Sequence, residues 1–266
     1  MEREVYKYVY NHLQSLKLIY EFQSGFLPKH STVHQLLEIY NSILNSLERK
    51  EMSCFVFCDF SKAFDKVWHR GLLHKLKAYG INGNVFDWFH SYLNEREQRV
   101  VIKDASSSFT SILGGVPPRI SSWPFTVCNI CINDIADKLA SLTRLFADDT
   151  SFSCSHSDGT EIQSIINHDL KELDEWSKRW LMTFNPDKTE IHVMLFTNLE
   201  HPEINFTFED NIISTIDSHR YLGVTFSTDA KWNAHIENTV SSVSIKHINI
   251  LRKLKFKINR SNLEKL

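Results

Sequence analysis

The chain has 266 residues, 42% hydrophobic and 12% aromatic, with eighteen Phe and six Trp, which is enough to bury a substantial core and excludes a disordered chain. A net charge of −2 excludes the overall basic balance common among nucleic-acid binders, so any phosphate contact must come from local clusters. Five Cys without regular spacing read as reduced thiols inside a cell, no stretch is apolar enough to span a membrane, and the first residues are too charged for a secretory signal.

Val5, Tyr8, Val9, Leu13, Leu16 and Ile19 recur at near-helical spacing and predict a short amphipathic helix within residues 1–20. Residues 23–32 read as a loop. Ser31 or Thr32 then caps a helix whose stripe (Val33, Leu36, Leu37, Tyr40, Ile43, Leu44, Leu47) is assigned to the core. The unbroken apolar run at 54–58 suits a buried strand and ends on Asp59. Helices follow near 69–79 and 84–94, and residues 98–102 and 108–112 alternate like a hairpin. Cys128 and Cys131 lack the second Cys or His pair that a zinc site needs.

Residues 144–153 read as strand, turn and strand, with Asp148-Asp149 as the turn. Two carboxylates at a hairpin tip repel unless a cation sits between them; alone they read as a solvated turn. Asp59 beside them would complete a three-carboxylate site of the kind that holds two magnesium ions for phosphoryl transfer. Beyond the hairpin, Thr160 and Gln163 resemble a capping box. Behind them Ile162, Ile165, Ile166, Leu170, Leu173, Trp176 and Trp180 form one helical stripe, with both tryptophans read as core. A strand at 192–196, a small hairpin around Asp210-Asn211 and a strand at 219–226 follow. A helix then runs from Lys231 to about Lys257. Its end is basic: Lys246, Arg252, Lys253, Lys255, Lys257, Arg260 and Lys265 against Glu264 alone. That run suits either phosphate contact or a solvated helix face.

Two motifs in order, the run from Phe57 through Asp59 and Phe64 to His69 and the run from Leu145 through Asp148-Asp149 to Thr150, resemble the palm of a reverse transcriptase. The chain is most similar to polymerases of non-LTR, jockey-like retrotransposons over roughly residues 20–250. The resemblance implies an α+β fold, an antiparallel palm sheet backed by helices with partial fingers and the start of a thumb. It divides the chain into 1–52 (partial fingers and connecting helices), 53–230 (palm with primer-grip region) and 231–266 (start of thumb), within one unit. It implies RNA-templated extension of a DNA primer by deoxynucleotides with two magnesium ions. Asp59, Asp148 and Asp149 are then catalytic, and the same residues with Phe60 hold metal. Phe64 is the gate against a ribose 2′-hydroxyl, with Lys62 also at the nucleotide. Lys188 is the proposed proton donor to pyrophosphate. Tyr221, Leu222 and Gly223 form the primer grip, and Lys253, Lys255 and Lys257 contact nucleic acid. No protein partner is implied.

The chain departs from the family twice. Residues 23–26 match the fingers pattern Gln-x-Gly-Phe, but Leu27 replaces the following Arg, removing a cation near an incoming triphosphate. After Gly114, Gly115, Val116 and Pro117 the family continues Gln-Gly-Ser; this chain has Pro118 and Arg119, and familiar sequence resumes at Ile132. Pro118 removes a backbone donor, and Arg119 puts a long cation where a flexible Gly belongs. A helix here must begin near Pro124. A nucleotide string consistent with residues 118–131, read one base later, translates as QGSVLGPLLFVIY, the family's pattern. Two compensating frameshifts, near 118 and 131, account for this. Two other classes stay open: a decayed, non-catalytic copy, and a nucleic-acid-binding protein without polymerase chemistry. The frameshift reading predicts that codons 117–132 spell the family motif in another frame; nucleotides that do not would make the segment ordinary divergence.

Overall fold

The apolar run after residue 51 becomes a strand buried on both faces, and the other elements assemble around it. The computed structural model describes residues 2–60, 65–94, 96–112, 114–116, 129–182, 191–197, 204–209 and 211–254. In it β1 (Met52–Cys58) lies inside a four-stranded sheet with β6 (Leu142–Phe146), β7 (Asp149–His156) and β8 (Ile191–Phe196), in the order β6-β7-β1-β8. All three pairings are antiparallel, with Val56 opposite Phe152 on one side and Val193 on the other.

Both faces of this sheet are covered, which is why β1 reads as a continuous apolar run rather than an alternating one. Cys54, Val56 and Cys58 face a core shared with α1 (Glu2–Ser15), α3 (His69–Ala78), α4 (Gly83–Leu93) and α5 (Gly159–Trp180). Phe55 and Phe57 face a smaller core built by α2 (Thr32–Glu48) and the hairpin of β11 (Ser218–Tyr221) and β12 (Val224–Ser227). A second small hairpin, β9 (Phe206–Phe208) with β10 (Asn211–Ile213), is tied to α5 by the Thr207 N–H donating to Asn167 Oδ1 at 2.9 Å. The last helix, α6 (Asn233–Leu254), follows β12 with Ile236, Val240 and Val243 exposed. The fold is therefore α+β. Among the described residues no helix is long and apolar enough to cross a membrane.

Several expected details shift. The inward face of α2 carries Gln35, Ile39, Ile43 and Ser46, while Val33, Leu37 and Leu44 are exposed. Polar residues can occupy that stripe because each finds a partner. Gln35 Nε2 donates to the Tyr221 hydroxyl at 2.8 Å, and Ser46 Oγ donates to Ser155 Oγ at 2.8 Å. In α1 only Val9 and Leu13 are buried, and Tyr8 is exposed. The cap of α5 is Asp158, which accepts from the Thr160 N–H at 2.9 Å, so Thr160 lies inside the helix and no capping box forms. Gln163 instead donates to Asn205 O. The expected hairpin near 98–112 splits into β2 (Glu97–Gln98) with β5 (Thr110–Ser111), and β3 (Val101–Ile102) with β4 (Ala105–Ser106). Between them the Ser107 hydroxyl accepts the Val100 N–H and interrupts the ladder.

Trp176 and Trp180 are packing residues, as expected. The buried Lys75 ammonium lies 5.3 Å from the ring of Trp176 and 3.9 Å from that of Trp180, and it pairs with Asp134. Trp176 Nε1 also donates to Asp134, at 2.9 Å. Lys75 thus reaches Cys131 O at the end of the departing segment, and with Trp176 it holds Asp134 just past that segment.

Residues 18–25 run as a strap along the outer edge of β6. The Ser24 N–H donates to Leu145 O at 2.8 Å, and the Leu145 N–H donates to Phe22 O at 3.0 Å. Asn133 grips the other side, donating to Leu18 O at 2.7 Å and accepting from the Tyr20 N–H at 2.8 Å. Asn129 donates to Gly25 O at 2.9 Å. The strap gives the exposed edge strand its missing partner. Gly25 is needed because a Cβ there would lie 1.8 Å from the Ala147 nitrogen. Backbone opposes that contact, so Gly25→Ala should lower unfolding stability by at least about 3 kcal/mol in urea titration, while Ser24→Ala stays within about 1 kcal/mol. An unchanged midpoint for Gly25→Ala would contradict the strap's role.

Candidate active site

The strap continues into the tip of the β6–β7 hairpin. Phe146 pairs with Asp149, so the turn is Ala147-Asp148, one residue earlier than the sequence suggested. Ala147 supplies the left-handed backbone a tight hairpin turn requires, with φ 58°, a conformation costly for a residue with a Cβ. Gln23 holds it there: its Oε1 accepts from the Ala147 N–H at 3.2 Å and the Gly25 N–H at 2.6 Å. Asp148 therefore sits at the tip, and Asp149 opens β7.

The third carboxylate arrives from the neighbouring strand. The last β1–β7 pair is Cys58 with Thr150, and one further step brings Asp59 level with Asp149. Asp59 is exposed, while Asp148 and Asp149 are half-buried. Burial, then the charges of Asp148 and Asp59, push Asp149 up to about 7. Burial and Asp59 also raise Asp148, against a backbone hydrogen bond that lowers it. Every charged neighbour shifting these two groups is another carboxylate. Three anionic oxygen donors without a counter-cation fit a hard divalent ion. Among the described residues, though, no three His, Cys, Asp or Glu side chains are gathered closely enough to form a metal ligand set. The carboxylates converge without closing. Phe60 packs its ring 5.8 Å from that of Trp176, so its side chain belongs to the core.

Two histidines missed in the sequence stand on the same sheet face. His192 pairs with Phe57 in register, and His219 stacks over Phe57 at 4.8 Å and lies 4.6 Å from His192. Burial lowers His219 to about 4, with His192 adding to the shift; burial also lowers His192, against the pull of Asp59. Both rings are thus neutral near pH 7. Only the alternation of β8, fixed by its pairing with β1, could have pointed to His192.

The turn of the β11–β12 hairpin is Leu222-Gly223, preceded by a buried Tyr221 whose hydroxyl receives hydrogen bonds from Gln35 and, at 3.4 Å, from Ser151. Tyr221 thus ties α2 to the sheet beside Asp149. Lys62, Phe64, Lys188, Lys255, Lys257 and residues 117–128 lie outside the described residues, as does the side chain of Lys253. Cys54, Cys58, Cys131 and Cys154 are free thiols.

The chain is similar to known proteins in sequence and in fold. A family model described as reverse transcriptase (RNA-dependent DNA polymerase) matches residues 1–226. The probable RNA-directed DNA polymerase from transposon BS of Drosophila melanogaster is 29% identical over 84% of this chain and 25% of its own length. The RNA-directed DNA polymerase from mobile element jockey of Drosophila funebris is 28% identical over 89% of this chain and 26% of its own. The chain thus spans about a quarter of the length of the curated relatives it matches. Among solved structures, apo telomerase from Candida tropicalis, truncated from its C-terminal domain, aligns with TM-score 0.58 at 13% identity, over 85% of this chain and 44% of that one. At that identity the likeness concerns the fold alone.

The raised Asp149 gives the fold a pH signature. The folded state holds its proton more tightly than the unfolded chain, so stability is lost as pH climbs from about 4, the ordinary carboxylate value, to about 7. Asp149→Asn should raise stability at pH 7.5 by on the order of 1–2 kcal/mol, allowing for solvent screening, and flatten that limb of the profile. Urea titrations at pH 4.5 and 7.5 check it; equal losses in both proteins would remove the strain.

Proposed function

The chain belongs to the reverse transcriptase family, and on that premise we propose that it is the core of an RNA-directed DNA polymerase from a non-LTR retrotransposon, adding deoxynucleotides to a DNA primer on an RNA template. One observation carries the reading: the register sets three carboxylates at one end of the sheet, and two of them are raised by burial and by neighbouring carboxylates. Residues 1–52 then act as partial fingers, 53–230 as palm and 231–266 as the start of a thumb.

In this reading Asp59 and Asp148, with the main-chain carbonyl of Phe60, hold two magnesium ions, and Asp149 supports them. Bound there, magnesium supplies positive charge at the primer 3′-hydroxyl and at the leaving pyrophosphate. The chain contributes position and charge, with no covalent intermediate. Phe64 bars a ribose 2′-hydroxyl, Lys62 contacts the nucleotide, and Lys188 protonates or neutralises pyrophosphate. The turn at Tyr221, Leu222 and Gly223 seats the primer, and Lys253, Lys255 and Lys257 contact backbone phosphates.

A second reading, an inherited and inactive copy, draws on Leu27 and on Pro118 and Arg119 in place of the family's Arg and Gln-Gly. Primer extension by the purified chain on an RNA template with magnesium separates the two. The polymerase reading expects incorporation that requires the metal and falls at least about 10²-fold in Asp148→Asn, a loss typical of removing one electrostatic stabiliser. No incorporation by the folded chain would favour the inactive copy.

A further inference from the structure

Two histidines on the sheet face beside the carboxylates have no part in the polymerase reading. His192 lies on β8 directly opposite Phe57, and His219 on β11 stacks over the same Phe57 ring at 4.8 Å. The two imidazole centroids are 4.6 Å apart, with their planes tilted by 37°. Both residues are half-buried, so solvent still reaches them. Among the described residues neither imidazole makes a hydrogen bond. Partly buried polar nitrogens are ordinarily matched by protein, water or an ion.

The spacing is close to that of two ligands on one ion. Zinc bonds an imidazole nitrogen at about 2.0–2.1 Å, and tetrahedral angles then set two imidazole centroids about 5 Å apart. The observed separation comes within about 0.5 Å of that value. Both rings are also neutral near pH 7, which leaves a lone pair on each. Imidazole selects zinc, copper and nickel, whereas magnesium takes oxygen. The pair is therefore chemically distinct from the carboxylates, although the charge of Asp59 reaches His192 and favours a cation there. Water fills the coordination positions that two imidazoles leave open.

Such an ion would join two elements that are otherwise loosely tied. Among the described residues β11 pairs only with β12, in a two-stranded sheet of its own, and no ladder joins it to β8. We propose that His192 and His219 together form a second metal site, for a divalent transition ion of the zinc class, that fastens the β11–β12 hairpin to the catalytic sheet. Tyr221 and the turn after it would then be held against the strands that carry the carboxylates.

Calorimetric titration of the full chain with zinc at pH 7.5, in excess magnesium so that the carboxylates have their own ion, tests this without turnover. His192→Phe and His219→Phe keep an aromatic ring beside Phe57 and remove the nitrogens. Each should weaken the tightest zinc binding at least about tenfold, the low end for disturbing even an outer-shell partner of a ligand. Zinc should raise the melting temperature of the parent chain and of neither variant. His90→Ala, at an exposed histidine on α4, and Asp148→Asn should both keep the parent's affinity. Histidine ring-proton NMR of the parent gives a readout that needs no variant: one equivalent of zinc should move two ring signals together. Affinity unchanged in either Phe variant, equal loss in Asp148→Asn, or shifts at a single ring or scattered over many would overturn the proposal. A chain that binds zinc at this pair but extends no primer would leave this inference standing while removing polymerase activity.

Discussion

Like charges on neighbouring strand ends are the constraint to which the rest of this fold answers. Asp149 lies level with Asp59 because Cys58 pairs with Thr150, and Asp148 lies beside both because the hairpin turns one residue earlier. Repulsion would spread these groups if the backbone allowed it. It does not, because β1 is held on both edges by ladders and on both faces by packed cores. A strand gripped on four sides cannot slip by one residue without turning Phe55 and Phe57 into the other core. The register that the core enforces is therefore also the register that gathers the carboxylates.

The tip of the hairpin needs a second support, and the strap provides it. Gln23 satisfies the Ala147 amide in an otherwise costly conformation, and Gly25 leaves room for the two backbones to meet. Asn129, near the end of the segment in which this chain departs from its family, and Asn133, just past it, bind the strap from its far side. On the near side of that segment Gly115, with φ 85°, packs against the backbone of Asp65 and donates to Val67 O. The altered residues thus begin and end at points tied to the active-site framework.

Much of this was legible from residue pattern. The unbroken apolar run at 54–58 announced a strand buried on two faces, and the stripe through Leu170 and Trp176 announced α5. Asp59, Asp148 and Asp149 were recognisable by motif, and the sheet register brings them to one end. What was not legible depended on partners distant in sequence. Hydrophobicity alone assigned Val33, Leu37 and Leu44 to the core, whereas Gln35 and Ser46 take that stripe because Tyr221 and Ser155 satisfy them. The turn was misplaced because Asp suits a left-handed position better than Ala, and the compensating acceptor comes from Gln23, 124 residues away in sequence. His192 and His219 carry no motif and meet only through the pairing of β8 and the folding back of β11.

The central claim, that Asp59, Asp148 and Asp149 are gathered to share divalent cations, is tested most directly by thermal melting at pH 7.5 with increasing magnesium. The account predicts that magnesium raises the melting temperature of the parent chain, at roughly 2–4 °C for each kcal/mol of linked binding, and has far less effect on Asp148→Asn. A parent chain indifferent to magnesium, or an equal rise in both proteins, would contradict it.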